Sequence, residues 1–296
     1  LLGLALFVEH MAFNGTKHFP KLEIPTFLES LGMRFGPSIN ASTGFDETVY
    51  MLQVPTDKPD VLDRAFLILE DWAHGLTFDP VEIDKERGVV IEEWRGRRGA
   101  GARMQDVQLP VMLKGSRYAD RLPIGTVENL QNFKHETLIR FYRDWYRPDL
   151  MTVIAAGDFD AAEIEKLITA HFGTIPAPAT PRPRETYPVP DHPGTLYAIA
   201  TDKEAPAAIV SVYSKSDPGE TATFGAYRAS IVEQLFASML NTRFAELAQK
   251  PEAPFVNAGG GKSALVRTKE ASALGAIVKD DAIAETVAGI LVGAER

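Results

Sequence analysis

Cysteine is absent from this sequence of 296 residues. That excludes disulfides, thiolate nucleophiles and cysteine-based metal sites, so any metal has to be held by histidine and carboxylate. Long apolar runs are missing too, and none reaches the roughly 18 consecutive residues of a membrane-spanning helix. Nor is there an excess of positive charge: 31 Lys and Arg stand against 40 Asp and Glu, a net charge of −9. That balance argues against nucleic acid or an anionic membrane surface as the main partner. What remains is ordinary for a globular protein, with 45% hydrophobic and 24% charged residues. The length allows two domains with separate cores.

Helical periodicity runs from Leu1 to Phe13 and from Ile24 to Leu31, where Pro25 is tolerated in a first turn. Thr48 to Val54 is rich in β-branched and aromatic residues and reads as a strand. Helices are predicted over Asp60 to His74, Val81 to Arg98, Met104 to Leu113, His135 to Tyr146 and Ala161 to His171, with a strand over Leu150 to Ala156. Pro176 to Pro193 holds seven prolines in eighteen residues, a composition suited to an extended linker. Beyond it, strands are predicted at Leu196 to Ala200, Ala207 to Tyr213, Ser263 to Arg267 and Ala273 to Val278. A long helix covers Ala222 to Gln249, and another starts at Asp281. The pattern predicts an α+β protein with two tandem α/β sandwich domains, mainly antiparallel sheets and helices on one face. Their expected extents are 1–175 and 195–296, joined by a linker at 176–194. The chain opens and stops inside helical patterns, which reads as a piece of a longer protein cut at both ends.

Leu6, Glu9 and His10 stand at the spacing of the His-x-x-Glu-His motif, with leucine where the first histidine belongs. In that motif the two histidines share a helical face and bind zinc, while the glutamate acts on the metal-bound water. Leucine has no lone pair to offer a metal. Glu86, Val89, Val90 and Glu93 are spaced i, i+3, i+4, i+7 and share one face of the helix predicted at Val81 to Arg98. Glu92 is turned roughly 120° away from Glu86. Spacing alone allows a solvated acidic face as well as carboxylates on a buried valine stripe that would need a cation or metal. Among the other histidines, His74, His135 and His171 fall at helix ends, and His192 lies in the linker. His18 lies past the Asn14-Gly15 break, off the face of His10. Gly259-Gly260-Gly261-Lys262-Ser263 fails as a phosphate loop, because Val256 occupies the first glycine position and a strand follows in place of a helix.

Val8 to Lys17 resembles the start of the pitrilysin/insulinase family of zinc endopeptidases, most of all its long bacterial members. The resemblance continues through Phe27 to Gly32, Asn40 to Thr43, Asp46 to Tyr50, Glu86 to Arg95, Pro123 to Gly125, Phe141 to Pro148 and Gly157-Asp158. It implies a zinc metalloendopeptidase with Glu9 as general base, His10 and Glu93 as Zn²⁺ ligands and Glu86 as a supporting carboxylate. Leu6 takes the place of the third ligand, so the resemblance also implies weakened or absent zinc and impaired activity in this chain. Asn40, Ala41, Ser42 and Thr43 would form an edge strand that pairs with substrate backbone. The implied partners are a peptide or unfolded protein substrate and a C-terminal half, or partner subunit, that closes the chamber. A periplasmic or other extracytoplasmic bacterial location goes with them. The family also contains non-catalytic subunits, which gives the alternative of a peptide-binding or partner subunit.

Overall fold

Proline and short acidic or hydroxyl side chains set where several helices of this chain begin. The structure, a computed structural model, describes residues 2–295. Leu1 and Arg296, the outer ends of the terminal helical patterns, lie outside the described residues. Helix α1 covers Leu4–Met11 and α2 covers Glu23–Ser30; a hairpin of β1 (Ile39–Thr43) and β2 (Thr48–Leu52) follows. Next come α3 (Pro59–His74), α4 (Pro80–Gly96), α5 (Ala100–Met112), α6 (Val127–Asn132), α7 (His135–Trp145) and α8 (Ala161–Phe172). The order ends with β3 (Ile209–Ser216), α9 (Phe224–Ala248), β4 (Phe255–Val266), β5 (Lys269–Val278) and α10 (Ile283–Glu295). Asp79 caps α4 by accepting from the amides of Val81 (2.8 Å) and Glu82 (3.3 Å), with Pro80 preset for the first turn. Asp160 caps α8 and Thr223 caps α9 in the same way.

The chain folds as two units, one built from residues up to Arg97 and from Arg121–Glu185, the other from Arg98–Asp120 and from Thr186 onward. In the first unit α1 buries Leu4, Leu6, Phe7, Val8 and Met11 against Ile83, Val90 and Ile91 of α4 and Leu138 and Tyr142 of α7. Burial of side chains of this size stabilises by roughly 1.5–3 kcal/mol each. A second cluster joins Ala12, Phe19, Ile24, Leu28 and Ile39 to Ile68 and Trp72 of α3. The Trp72 indole N–H donates to the Ala12 carbonyl at 3.0 Å, which fixes the end of α1 on α3. The start of α1 is set by a close approach of two glycines at positive φ. A Cβ on Gly125 would lie 2.6 Å from the Gly3 nitrogen, so only glycine fits there.

In the second unit β3, β5 and β4 form an antiparallel sheet in that order. Leu240 and Phe244 of α9 and Ile290 of α10 cover Phe255, Ala258 and Ala276. The Gly259–Ser263 run lies inside β4 and leads into β5, so it opens no helix. At the outer edge of β4 the Asn241 carboxamide accepts from the Gly260 amide (2.8 Å) and donates to its carbonyl (3.1 Å). Helices packed on antiparallel strands make this an α+β protein, as the sequence pattern predicts.

Two predicted strands differ from what forms. Leu150 to Ala156 and Leu196 to Ala200 join no ladder among the described residues, and Ile154, Tyr197 and Ile199 are more than 80% exposed. Their apolar composition supplies strand propensity, but a strand also needs a hydrogen-bonded neighbour, and neither segment has one here.

Candidate functional site

Glu9 and His10 lie on α1, whose apolar flanks sink into the core and hold the polar pair at the α4 interface. The α4 helix brings Glu86 and Glu93 to the same place. The His10 Nδ1 is 2.8 Å from Glu86 Oε1, and its Nε2 is 3.0 Å from Glu93 Oε2. The sequence reading of that α4 face needs one correction. Val90 is fully buried, but Val89 is 52% exposed, so only one of the two valines lines the stripe beside the carboxylates. Three and four residues straddle the 3.6-residue turn, and the packing against α1 takes the i+4 side. Glu92 points away, paired with Arg95 at the surface.

Further groups complete the cluster. Asn14, just past the end of α1, donates to Glu86 Oε2 at 2.5 Å. Arg97 pairs with Glu93 Oε1. The Thr43 hydroxyl donates to Glu9 Oε2 and lies 3.1 Å from the Thr48 hydroxyl. Beneath them the Tyr50 and Tyr146 hydroxyls are 2.7 Å apart. Spacing could have pointed to Arg97, since Glu-to-Arg at i, i+4 on a helix is a standard pair. Nothing in the local sequence pointed to the Thr43 bond or the tyrosine pair, which depend on the hairpin docking over α1.

Burial pushes the Glu9 carboxyl above its ordinary pKa, against the lowering effects of the Thr43 hydrogen bond and the His10 charge. For His10, burial works downward, but the Glu86 hydrogen bond and the charges of Glu86, Glu93 and Glu9 outweigh it, so the net shift is upward. Burial also pushes the Tyr146 hydroxyl up to about 12 and Tyr50 well above its usual value, so both stay protonated donors near neutral pH.

β1 pairs with β2 in a two-stranded sheet; on its other side a bridge to Phe35 covers Ile39, and no further strand of the described residues pairs there. The Gln53 amide donates to Ser38 and the Gly44 amide to Glu47, which puts Asn40 and Ser42 in the inward-bonded pairs. Ala41 and Thr43 therefore turn their backbone groups outward, although the Ala41 amide is taken by the Asn40 carboxamide at 2.9 Å.

Leu6 lies one turn before His10, 5% exposed, packed in the apolar cluster of α1 and α4. His18, the nearest other histidine in sequence, is bound through Nδ1 to Asp71 at 2.8 Å and joins a different network. His135 pairs with Asp84, and His171 with Glu70. A catalytic zinc takes three protein ligands. Of the three positions in question, His10 and Glu93 carry donor atoms and Leu6 none, and among the described residues no set of three His, Asp or Glu groups is arranged to hold a metal. The residues present do not fit a catalytic zinc.

Comparison with known proteins gives two family matches. Residues 1–102 match the model described as insulinase (peptidase family M16), and residues 132–270 match that of the peptidase M16 inactive domain. The chain is 37% identical over 254 residues to the zinc protease PQQL-like of Arabidopsis thaliana, an alignment covering 86% of this chain and 27% of that protein. It is 35% identical over 266 residues to the probable zinc protease PqqL of Escherichia coli, covering 88% of this chain and 28% of that protein. The chain thus spans little more than a quarter of the length of these curated relatives. Among solved structures, the first half of the periplasmic protease PqqL from Escherichia coli matches with a TM-score of 0.86 at 29% identity, over 99% of this chain and 62% of that one.

Proposed function

The chain belongs to the insulinase family of peptidases, and from that premise we propose that it serves a zinc-dependent endopeptidase of that type, with hydrolysis impaired by Leu6. It holds extended peptide or unfolded protein segments beside β1 and presents their backbone to Glu9. The observation that carries this reading is the convergence of Glu9, His10, Glu86 and Glu93 from two helices beside the open edge of β1. The outward Ala41 carbonyl and Thr43 backbone groups bind a peptide by its backbone, with the Ala41 amide released only if the Asn40 carboxamide turns away, and backbone pairing suits substrates of varied sequence. Glu9 is the general base. Its raised pKa favours proton acceptance nearer neutral pH, and Thr43 fixes one of its oxygens. Glu86 holds the His10 ring in place.

His10 and Glu93 are the two remaining zinc ligand positions, and no step is drawn through a metal here. By analogy with the periplasmic relative from Escherichia coli, the working location is periplasmic or otherwise extracytoplasmic. A C-terminal half or partner subunit, corresponding to the further length of the relatives, closes the site over the substrate.

The test is repair of the site. Leu6→His should bring zinc from clearly substoichiometric to near one per chain. Assayed with a complementary half, the variant should cleave unstructured peptides in a chelator-sensitive way, and Glu9→Gln should abolish that cleavage. Cleavage indifferent to Glu9→Gln would refute the base assignment. Tight peptide binding without cleavage after both repairs would favour a non-catalytic peptide-binding or partner subunit.

A further inference from the structure

The carboxylates of the α1–α4 site are already engaged by groups of this chain. Both ring nitrogens of His10 are used, one on Glu86 and one on Glu93. The second oxygen of Glu86 accepts from Asn14, and the second oxygen of Glu93 is paired with Arg97. Arg97 follows the last turn of α4, where the helix end favours a cation independently of Glu93. Leu6 packs on the same interface with Val90 and Ile91, which keeps one side of the cluster dry and strengthens its hydrogen bonds.

We propose that His10, Asn14, Glu86, Glu93 and Arg97 form a metal-independent clasp joining α1 to α4, in which His10 and Arg97 between them engage both Glu93 oxygens and so compete with a divalent cation for that carboxylate. The inference rests on the preceding reading only in treating His10 and Glu93 as former ligand positions. It makes two demands. The fold around α1 should owe nothing to bound metal. Arg97 should also compete with zinc once a third ligand is restored, so that Leu6→His alone gives a weaker site than Leu6→His with Arg97 removed.

Both demands are measurable on the full chain. Thermal melts of the unaltered protein in EDTA and in a large excess of zinc chloride, at matched ionic strength, should coincide. A melting temperature that falls with EDTA or rises with zinc would overturn the clasp, because a ligand bound to the native state alone must stabilise it. In the Leu6→His background, Arg97→Ala should tighten zinc binding by about two- to fivefold, the range for a partly exposed ion pair. Arg95→Ala, which breaks the Glu92 pair instead, should leave zinc affinity unchanged. Equal effects of the two arginine variants would refute the competition. Failure to cleave peptide with zinc fully bound would sink the proposed function and leave these melts and affinities as they stand.

Discussion

Asp71 offers a sharp test of how the loop behind the site is held. It lies on α3, is 1% exposed, and accepts from the Thr16 hydroxyl (2.5 Å), the His18 amide (2.9 Å) and His18 Nδ1 (2.8 Å). Thr16 is itself 2% exposed, so Asp71→Ala leaves its buried hydroxyl with only a long 3.4 Å bond to the Phe19 carbonyl and strands the partly buried His18 amide. Each buried donor left without a partner costs about 1–3 kcal/mol. His18 is partly exposed and recovers some of its loss from water. We expect a loss of about 3–4 kcal/mol, within the range for breaking a buried charged cluster. All three tryptophans, Trp72, Trp94 and Trp145, belong to the first unit, so intrinsic fluorescence in a urea titration follows that unit. Hydrogen exchange at the His18 amide gives a local reading, and its protection should collapse. A loss below about 1 kcal/mol, the size of an ordinary point mutation, with unchanged protection at His18, would refute the reasoning.

Two further outcomes concern the second unit. Gly293→Ala should destabilise it by about 1 kcal/mol on thermal denaturation. The added Cβ would sit 2.6 Å from the ring of fully buried Phe244, and overpacking of about 1–3 kcal/mol exceeds the helix propensity gained from alanine. A stabilised variant would show that the ring can yield. Asp202 is held down to about 2 by its hydrogen bonds from Arg103 and from the Glu204 amide. A depressed carboxylate contributes stability above its ordinary value near 4, and that stability fades as pH falls through about 2. Asp202→Asn should therefore begin acid unfolding at higher pH, with the two profiles converging below pH 2; parallel profiles throughout would exclude this pair from the acid response.

Much of the fold was legible because its signals are local. Pro25 in the first turn of α2, the 3.6-residue pattern of α3 and the β-branched and aromatic composition of β2 each act within a few residues. The α+β class followed from the order of such elements. Leu150 to Ala156 and Leu196 to Ala200 were misread because strand formation is decided by a partner, which composition does not supply. At the site, Glu86 and Glu93 were placed on one helix face by spacing, and they do meet His10. Val89 was misplaced because a hydrophobic residue at i+3 and one at i+4 look alike until a neighbour packs on one side. The Thr43 hydroxyl on Glu9 and the use of Asn14 and Arg97 as counter-groups arise from side chains meeting between separate elements, which periodicity does not encode.

The Asn241 carboxamide on Gly260 closes one rung at the β4 edge of the second sheet. Its donor and acceptor match those of a peptide unit, so it ends the ladder at β4 much as a chain terminator ends a polymer. A strand adding along β4 would therefore meet a rung at Gly260 whose amide and carbonyl are both already taken, and would have to displace the Asn241 side chain to continue past it.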